Sequence, residues 1–220
     1  MIVKLSGPLL PPRSGGLPKQ VMVLLHGYGA DGADLIGLGR EWGELWPDML
    51  FVSPNAPDPC ERSAGGYQWF PLSGAPIAGR VEGAASARPV LVSFLMDLWA
   101  QTGLTAADTI LCGFSQGAMM ALHVGTSLDQ PLRAMVAFSG ALIPAEGFLE
   151  GRFARPPVAL IHGEADQVVD PDLSRESAQI LADAGFEVRL HISPGIGHGI
   201  APDGLQFATD FLALALAPKA

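Results

Sequence analysis

The sequence predicts an α/β protein in which a mostly parallel central sheet carries helices on both faces. Short apolar, β-branched runs alternate along the chain with longer segments of helical period, the pattern of a parallel sheet built from strand–helix units. Apolar residues make up 49% of the chain and charged ones 16%, which suits strands covered on both sides. No internal repeat or break in composition marks a second unit, so residues 1–220 read as a single domain. A chain of this length can bury about 70% of its unfolded surface without staples.

The elements follow in order. Residues 21–26 form the first strand, and a helix with Leu35, Leu38, Trp42, Leu45 and Trp46 on one face runs from there to Pro47. A second strand covers 50–53. Residues 54–89 are the least regular part, rich in Gly, Pro, Ala and Ser and interrupted by Tyr67-Gln68-Trp69-Phe70; long irregular loops in a compact domain are commonly functional. Leu91, Phe94, Leu95, Leu98 and Trp99 then share a helical face that stops at Gly103. Strand 109–114 leads into helix 118–124, and strands follow at 134–139 and 158–162. Asp170 reads as a helix cap with Pro171 as first helical residue, Leu173, Ser177, Ile180 and Leu181 as one side, and Gly185 as the stop. Strand 187–192 precedes a last helix that starts near Pro202 and carries Leu205, Ala208, Leu212 and Leu216. The Trp and Leu stripes are read as core packing.

Charge and termini narrow the function classes. Thirteen Lys and Arg against 22 Asp and Glu give a net charge of −9, with no basic cluster for phosphates, so nucleic acid is not an expected partner. Lys4 and the early prolines interrupt what a secretory signal would need as an unbroken apolar run, and no stretch reaches the length of a membrane span. A cytoplasmic protein without stable membrane insertion is the expectation. Cys112 falls in a strand and Cys60 in a proline-rich loop, an arrangement that suggests neither a structural disulfide nor a metal site.

Chemistry enters with Gly113-Phe114-Ser115-Gln116-Gly117. This is the G-x-S-x-G elbow, in which small flanking residues allow a sharp strand-to-helix turn that presents a serine hydroxyl. The motif alone is common in a chain with 27 glycines, but here it lies between a strand and a helix, as the α/β-hydrolase fold requires. A serine hydroxyl needs a base, and the base needs a group that fixes its tautomer. Of the five histidines, His26 and His162 end strands, His123 lies in a helix and His191 in a strand. His198 sits instead in a glycine-rich loop, 194–199, between the last strand and the last helix, and is the candidate base.

The order Ser, Asp, His places the acid between residues 115 and 198, just past a strand end. Asp166, four residues after His162, fits best; Asp170 has a sufficient role as a cap, Asp172 falls inside the helix, and Glu164 is the nearest rival. Two donors are needed for the developing oxyanion, typically worth about 3 kcal/mol each in barrier height. The backbone N–H of Gln116 supplies one, and that of Tyr28, in the glycine-rich loop His26-Gly27-Tyr28-Gly29, is the candidate for the second. The Tyr28 side chain is a candidate pocket wall.

These segments together resemble the phospholipase/carboxylesterase family, which includes acyl-protein thioesterases and small bacterial carboxylesterases. The resemblance rests on Leu25-His26-Gly27-Tyr28-Gly29, Gly113-Phe114-Ser115-Gln116-Gly117-Ala118, His162-Gly163-Glu164-Ala165-Asp166 with Val168-Val169, and Gly197-His198. Ser53-Pro54-Asn55-Ala56-Pro57 and Trp69-Phe70 look like further family positions. The resemblance implies an α/β-hydrolase without a large lid, with no cofactor and no metal, a triad of Ser115, Asp166 and His198, and an oxyanion hole from Tyr28 and Gln116. It also implies a small-molecule ester substrate and allows a homodimer. Trp69 and Phe70 are expected to form an apolar substrate-binding wall beside Ser115. In the thioesterases an aspartate typically follows the Trp-Phe pair, whereas here Pro71 does. Hydrolysis of short- to medium-chain carboxylic esters is therefore the first expectation, with thioesters and lysophospholipids within the family's range. The alternatives are a protein S-acyl thioesterase and a non-catalytic α/β-hydrolase acting as a binding module. A dienelactone-hydrolase-like enzyme would be expected to carry Cys at position 115.

Overall fold

The computed structural model describes residues 4–72, 77–151 and 153–217. Strands β1 (Leu9–Leu10), β2 (Gln20–Leu25) and β3 (Met49–Val52) enclose helix α1 (Gly32–Leu45). A small hairpin, β4 (Asp58–Pro59) with β5 (Tyr67–Gln68), precedes the long helix α2 (Ile77–Thr102). Then come β6 (Thr109–Phe114), α3 (Gln116–Gly125), β7 (Ala134–Phe138), β8 (Val158–Gly163), α4 (Asp172–Asp183), β9 (Val188–Ser193) and α5 (Pro202–Leu216). Seven strands form one sheet in the order β1-β3-β2-β6-β7-β8-β9, with β1 antiparallel and every other pairing parallel.

The central strands are buried on both sides, so neighbouring residues feed two different cores. Val21, Val23 and Leu25 of β2 pack on the side of α2 and α3, while Met22 and Leu24 face the side that holds Trp42 of α1 and Phe211 and Leu212 of α5. At about 25 cal/mol per Å² of apolar surface removed from water, such two-sided burial is the dominant force holding the layers together. Trp42 adds direction: its Nε1–H donates to Thr209 Oγ1 at 2.9 Å, linking α1 to α5. No helix among the described residues is long and apolar enough to cross a membrane. Cys60 and Cys112 are free thiols.

Most sequence expectations hold to within a residue or two. Asp31 caps α1 by accepting from Ala33 N–H at 2.8 Å, and Asp170 Oδ1 accepts from Asp172 N–H at 2.9 Å. Gly103 and Gly185 end their helices in the left-handed region, at φ 74 and 85. The main correction concerns residues 54–89. That stretch is not irregular throughout: α2 begins at Ile77 and runs through Pro89. Pro89 is exposed, and so is Ala85, whose carbonyl loses its helical partner to the proline ring and is left on the water side.

Candidate active site

Loops leaving the carboxyl ends of β2, β6, β8 and β9 build the site, the edge at which open parallel sheets place ligands. Ser115 is the joint between β6 and α3, with φ 52 and ψ −117. Such a conformation costs a non-glycine residue about 1–3 kcal/mol and persists only where the surroundings impose it. Close packing imposes it here. A Cβ at Gly113 would collide with Gly117 O, and one at Gly117 with Leu25 O, so the elbow presses against β2 with no room for side chains. Ser115 N–H is held by Phe138 O of β7 at 2.8 Å.

On the next loops the structure brings Asp166 and His198 together. Asp166 Oδ2 accepts from His198 Nδ1 at 2.7 Å, and its Oδ1 accepts from the N–H groups of Val168 and Val169 at 2.8 and 3.0 Å. Since a carboxylate only accepts, the neutral His198 carries its proton on Nδ1 and leaves Nε2 as a base. Burial pulls the Asp166 carboxyl upward, but the bonds from His198, Val169 and Val168 outweigh it and hold the group below the usual carboxylate range. The imidazole of His198 lies 4.8 Å, centroid to centroid, from the ring of Phe114, the residue before Ser115.

Two further contacts fix the loop that carries His198. Ala165 N–H donates to Ile196 O at 2.8 Å, and Glu164 Oε2 accepts from Gly195 N–H at 3.0 Å. Glu164, the rival acid in the sequence, thus braces the backbone three residues before His198.

His162, near the end of β8, is tied to Asp166. Its Nε2–H reaches Asp166 Oδ2 at 3.1 Å and Val169 O at 2.9 Å, while Ser174 Oγ stands 2.6 Å from Nδ1. Burial pulls its pKa below the ordinary histidine value, against the bonds to Val169 and Asp166, so it serves as a neutral donor. The signal for it in the sequence is its i, i+4 spacing from Asp166.

The loop after β2 is held with similar care. Ala56 N–H donates to His26 Nε2 at 2.9 Å, so His26 donates through Nδ1 to Gly27 O at 2.7 Å. Asn55 Oδ1 accepts from Gly32 N–H at 2.8 Å, which ties the 53–57 segment to the loop after β2. A Cβ placed on Gly27 would lie 3.4 Å from Ser115 Cβ, so this backbone runs directly alongside the serine. Gly29 N–H donates to Tyr67 O and Ala30 N–H to Gly27 O, leaving Tyr28 N–H without an acceptor among the described residues. Gln116 N–H lies at the first position of α3, where helix geometry supplies no partner. The Tyr28 hydroxyl is out of solvent, beside Cys60.

Trp69 and Phe70 require a correction. They are 1% and 2% exposed and belong to the core beneath α2, so they are not an open wall for substrate. Trp69 instead donates from Nε1 to His26 O at 3.0 Å, bracing the loop after β2. The Gln116 side chain, which sequence reasoning passed over, is clamped between the two: Trp69 N–H donates to its Oε1 at 2.9 Å and its Nε2–H to Phe70 O at 2.7 Å.

A family model described as Phospholipase/Carboxylesterase matches residues 13–216. The chain belongs to the phospholipase/carboxylesterase family. As a member it is a hydrolase of ester bonds, and its sheet is that of the α/β-hydrolases. Esterase YpfH of Escherichia coli is 31% identical over 196 residues, covering 88% of this chain and 82% of that one. An acyl-protein thioesterase 1 of Neurospora crassa is 27% identical, with 87% and 84% covered. Among solved structures, that of esterase PE8 is similar with a TM-score of 0.92 and 54% identity, covering 97% of this chain and all (100%) of that one. The phospholipase/carboxylesterase match spans every loop described above.

Proposed function

We propose that this chain is a serine carboxylesterase that cleaves short- to medium-chain esters through an acyl-enzyme, with Ser115 as nucleophile, His198 as base and Asp166 as its orienting acid. The observation that carries the reading is the 2.7 Å contact between Asp166 and His198 Nδ1, which frees Nε2 to take a proton, at the same sheet edge as a serine in a strained elbow. Ser115 Oγ attacks the ester carbonyl as its proton passes to His198 Nε2. The carbonyl oxygen becomes negative and is received by the N–H groups of Tyr28 and Gln116, with the start of α3 adding its positive end. The C–O bond then breaks and His198 returns the proton to the departing alcohol. Water repeats the sequence on the acyl-serine, releasing acid and free enzyme.

An open site supports small, dissolved substrates. The His198 side chain is 18% exposed, so nothing among the described residues seals it from water, and interfacial activation by a moving lid is not expected. Fluorophosphonate labelling tests the reading together with Ser115→Ala. Wild type should label stoichiometrically, and the variant should lose both label and at least about a thousandfold in turnover while keeping its fold. Retention of more than about a hundredth of the wild-type rate overturns the assignment.

A further inference from the structure

Once Trp69 and Phe70 are assigned to the core, another surface beside Ser115 must receive the rest of the ester. A groove of about 590 Å³ runs between α1 and the loop after His198, within the size range of small-molecule sites. Its apolar walls are Leu35 and Leu38 of α1, Ile200, and Phe114. Phe114 is the link to the chemistry: its ring stands 4.8 Å from that of His198, and a Cβ on Gly27 would touch both Phe114 and Ser115. Gly37 lies on the exposed face of α1 at this groove, and a Cβ there would meet nothing within 4 Å.

The reaction geometry decides which half of the ester belongs there. The carbonyl oxygen is drawn toward the N–H groups of Tyr28 and Gln116, whereas the leaving oxygen must come to His198 Nε2 to be protonated as the C–O bond breaks. The leaving group therefore lies on the histidine side, and Ile200, two residues past His198, lines the groove on that side. We propose that this groove is the leaving-group subsite, taking an apolar alcohol of about four to eight carbons; this rests on the triad reading above. Asp34, Arg40 and Glu41 line the same groove, two carboxylates against one guanidinium, so a neutral or cationic alcohol fits better than an anionic one.

The test compares two selectivity ratios of kcat/KM: hexyl acetate over methyl acetate for the alcohol side, and methyl hexanoate over methyl acetate for the acyl side. Each methylene buried in an apolar site contributes about fourfold. Gly37→Phe fills the groove from open space and should lower the alcohol ratio at least about tenfold, with the acyl ratio shifting by less than about threefold. Leu38→Ala removes part of a wall and should lower the same ratio, keeping the test available if the first variant folds poorly. The proposal is overturned if neither variant changes the alcohol ratio, or if the acyl ratio moves as far. Fluorophosphonate labelling rates separate this from failure of the triad reading. If wild type does not label, the catalytic reading fails irrespective of the ratios. If a variant loses labelling together with both ester series, its triad geometry has been damaged and the alcohol ratio of the other variant decides.

Discussion

Replacing Asp166 by asparagine exchanges one carboxylate oxygen for an NH₂ and reverses the proton pattern at two of its four hydrogen bonds. Asp166 accepts on Oδ1 from Val168 and Val169 N–H and on Oδ2 from His162 and His198, so it is surrounded by donors. Asparagine has only one accepting oxygen. If that oxygen stays with the two backbone N–H groups, which cannot change their protonation, the new NH₂ faces both imidazoles. His198 can then accept only if its proton moves to Nε2, the nitrogen that the proposed mechanism needs free to deprotonate Ser115. Loss of the working tautomer costs about 10⁴ in kcat in a Ser-His-Asp triad, roughly 5.4 kcal/mol of barrier. The displaced His162 bond adds a stability loss of about 1–3 kcal/mol, a fall in Tm of about 2–12 °C for a chain of this size. The assay is kcat on p-nitrophenyl acetate with thermal unfolding alongside, and Asp170→Asn as comparison. Asparagine accepts the same bond from Asp172 N–H, so that variant should cost at most about 0.5 kcal/mol and leave kcat intact. If Asp166→Asn retains more than a tenth of wild-type kcat, or Asp170→Asn proves as damaging, the proton argument fails.

Two other expectations follow from the buried groups. Trp69→Phe keeps most of the ring volume but deletes the donor to His26 O, so kcat should fall by several-fold on acetate, butyrate and hexanoate alike; a loss confined to the longer esters would return Trp69 to the substrate wall. For His26, His123 and His162, burial leads in pulling the pKa below the usual value, so the unfolded chain binds protons that the folded one refuses. Stability is then full above about pH 6.5 and falls as the pH drops below it, by up to about 4 kcal/mol per pH unit for the three together, before Asp166 adds its own loss at lower pH. Urea midpoints measured from pH 8 to pH 5 check this, and a flat profile would show that these imidazoles are not held neutral.

The central strands were legible because they are buried on both faces, which writes them as unbroken apolar runs such as 21–25 and 109–112. β1, β4 and β5 were not legible, since two-residue strands show no periodicity and are defined only by partners distant in sequence. The first three turns of α2 were hidden by composition. Gly83, Ala84 and Ala87 are small because Phe70 and its neighbours fill the space, so that face carries no visible stripe. Within the site, Ser115, Asp166 and His198 could be singled out as candidates because each residue sits in a loop with a recognisable local pattern. The roles of His162 and the Gln116 side chain could not, because each depends on a hydrogen bond to a backbone or carboxylate brought near only by folding. Trp69 misled for a related reason: an aromatic residue in a Gly-rich stretch looks the same whether its indole N–H meets a ligand or a carbonyl of its own chain.

The clamp on Gln116 makes the residue after Ser115 a shared joint of two otherwise independent parts. Its backbone belongs to the elbow and its amide side chain belongs to the stem of the β4–β5 hairpin, through Trp69 N–H and Phe70 O. The stem is thereby locked in register with the serine, while the hairpin tip at 61–65, largely exposed, has no such tie to the elbow. Variation in length or sequence can accumulate at that tip and alter what approaches the site from outside. The same change two residues inside the stem would tilt the Gln116 amide and shift the backbone N–H proposed as an oxyanion donor. The boundary between tolerant and intolerant positions in this hairpin is thus drawn by one side-chain amide.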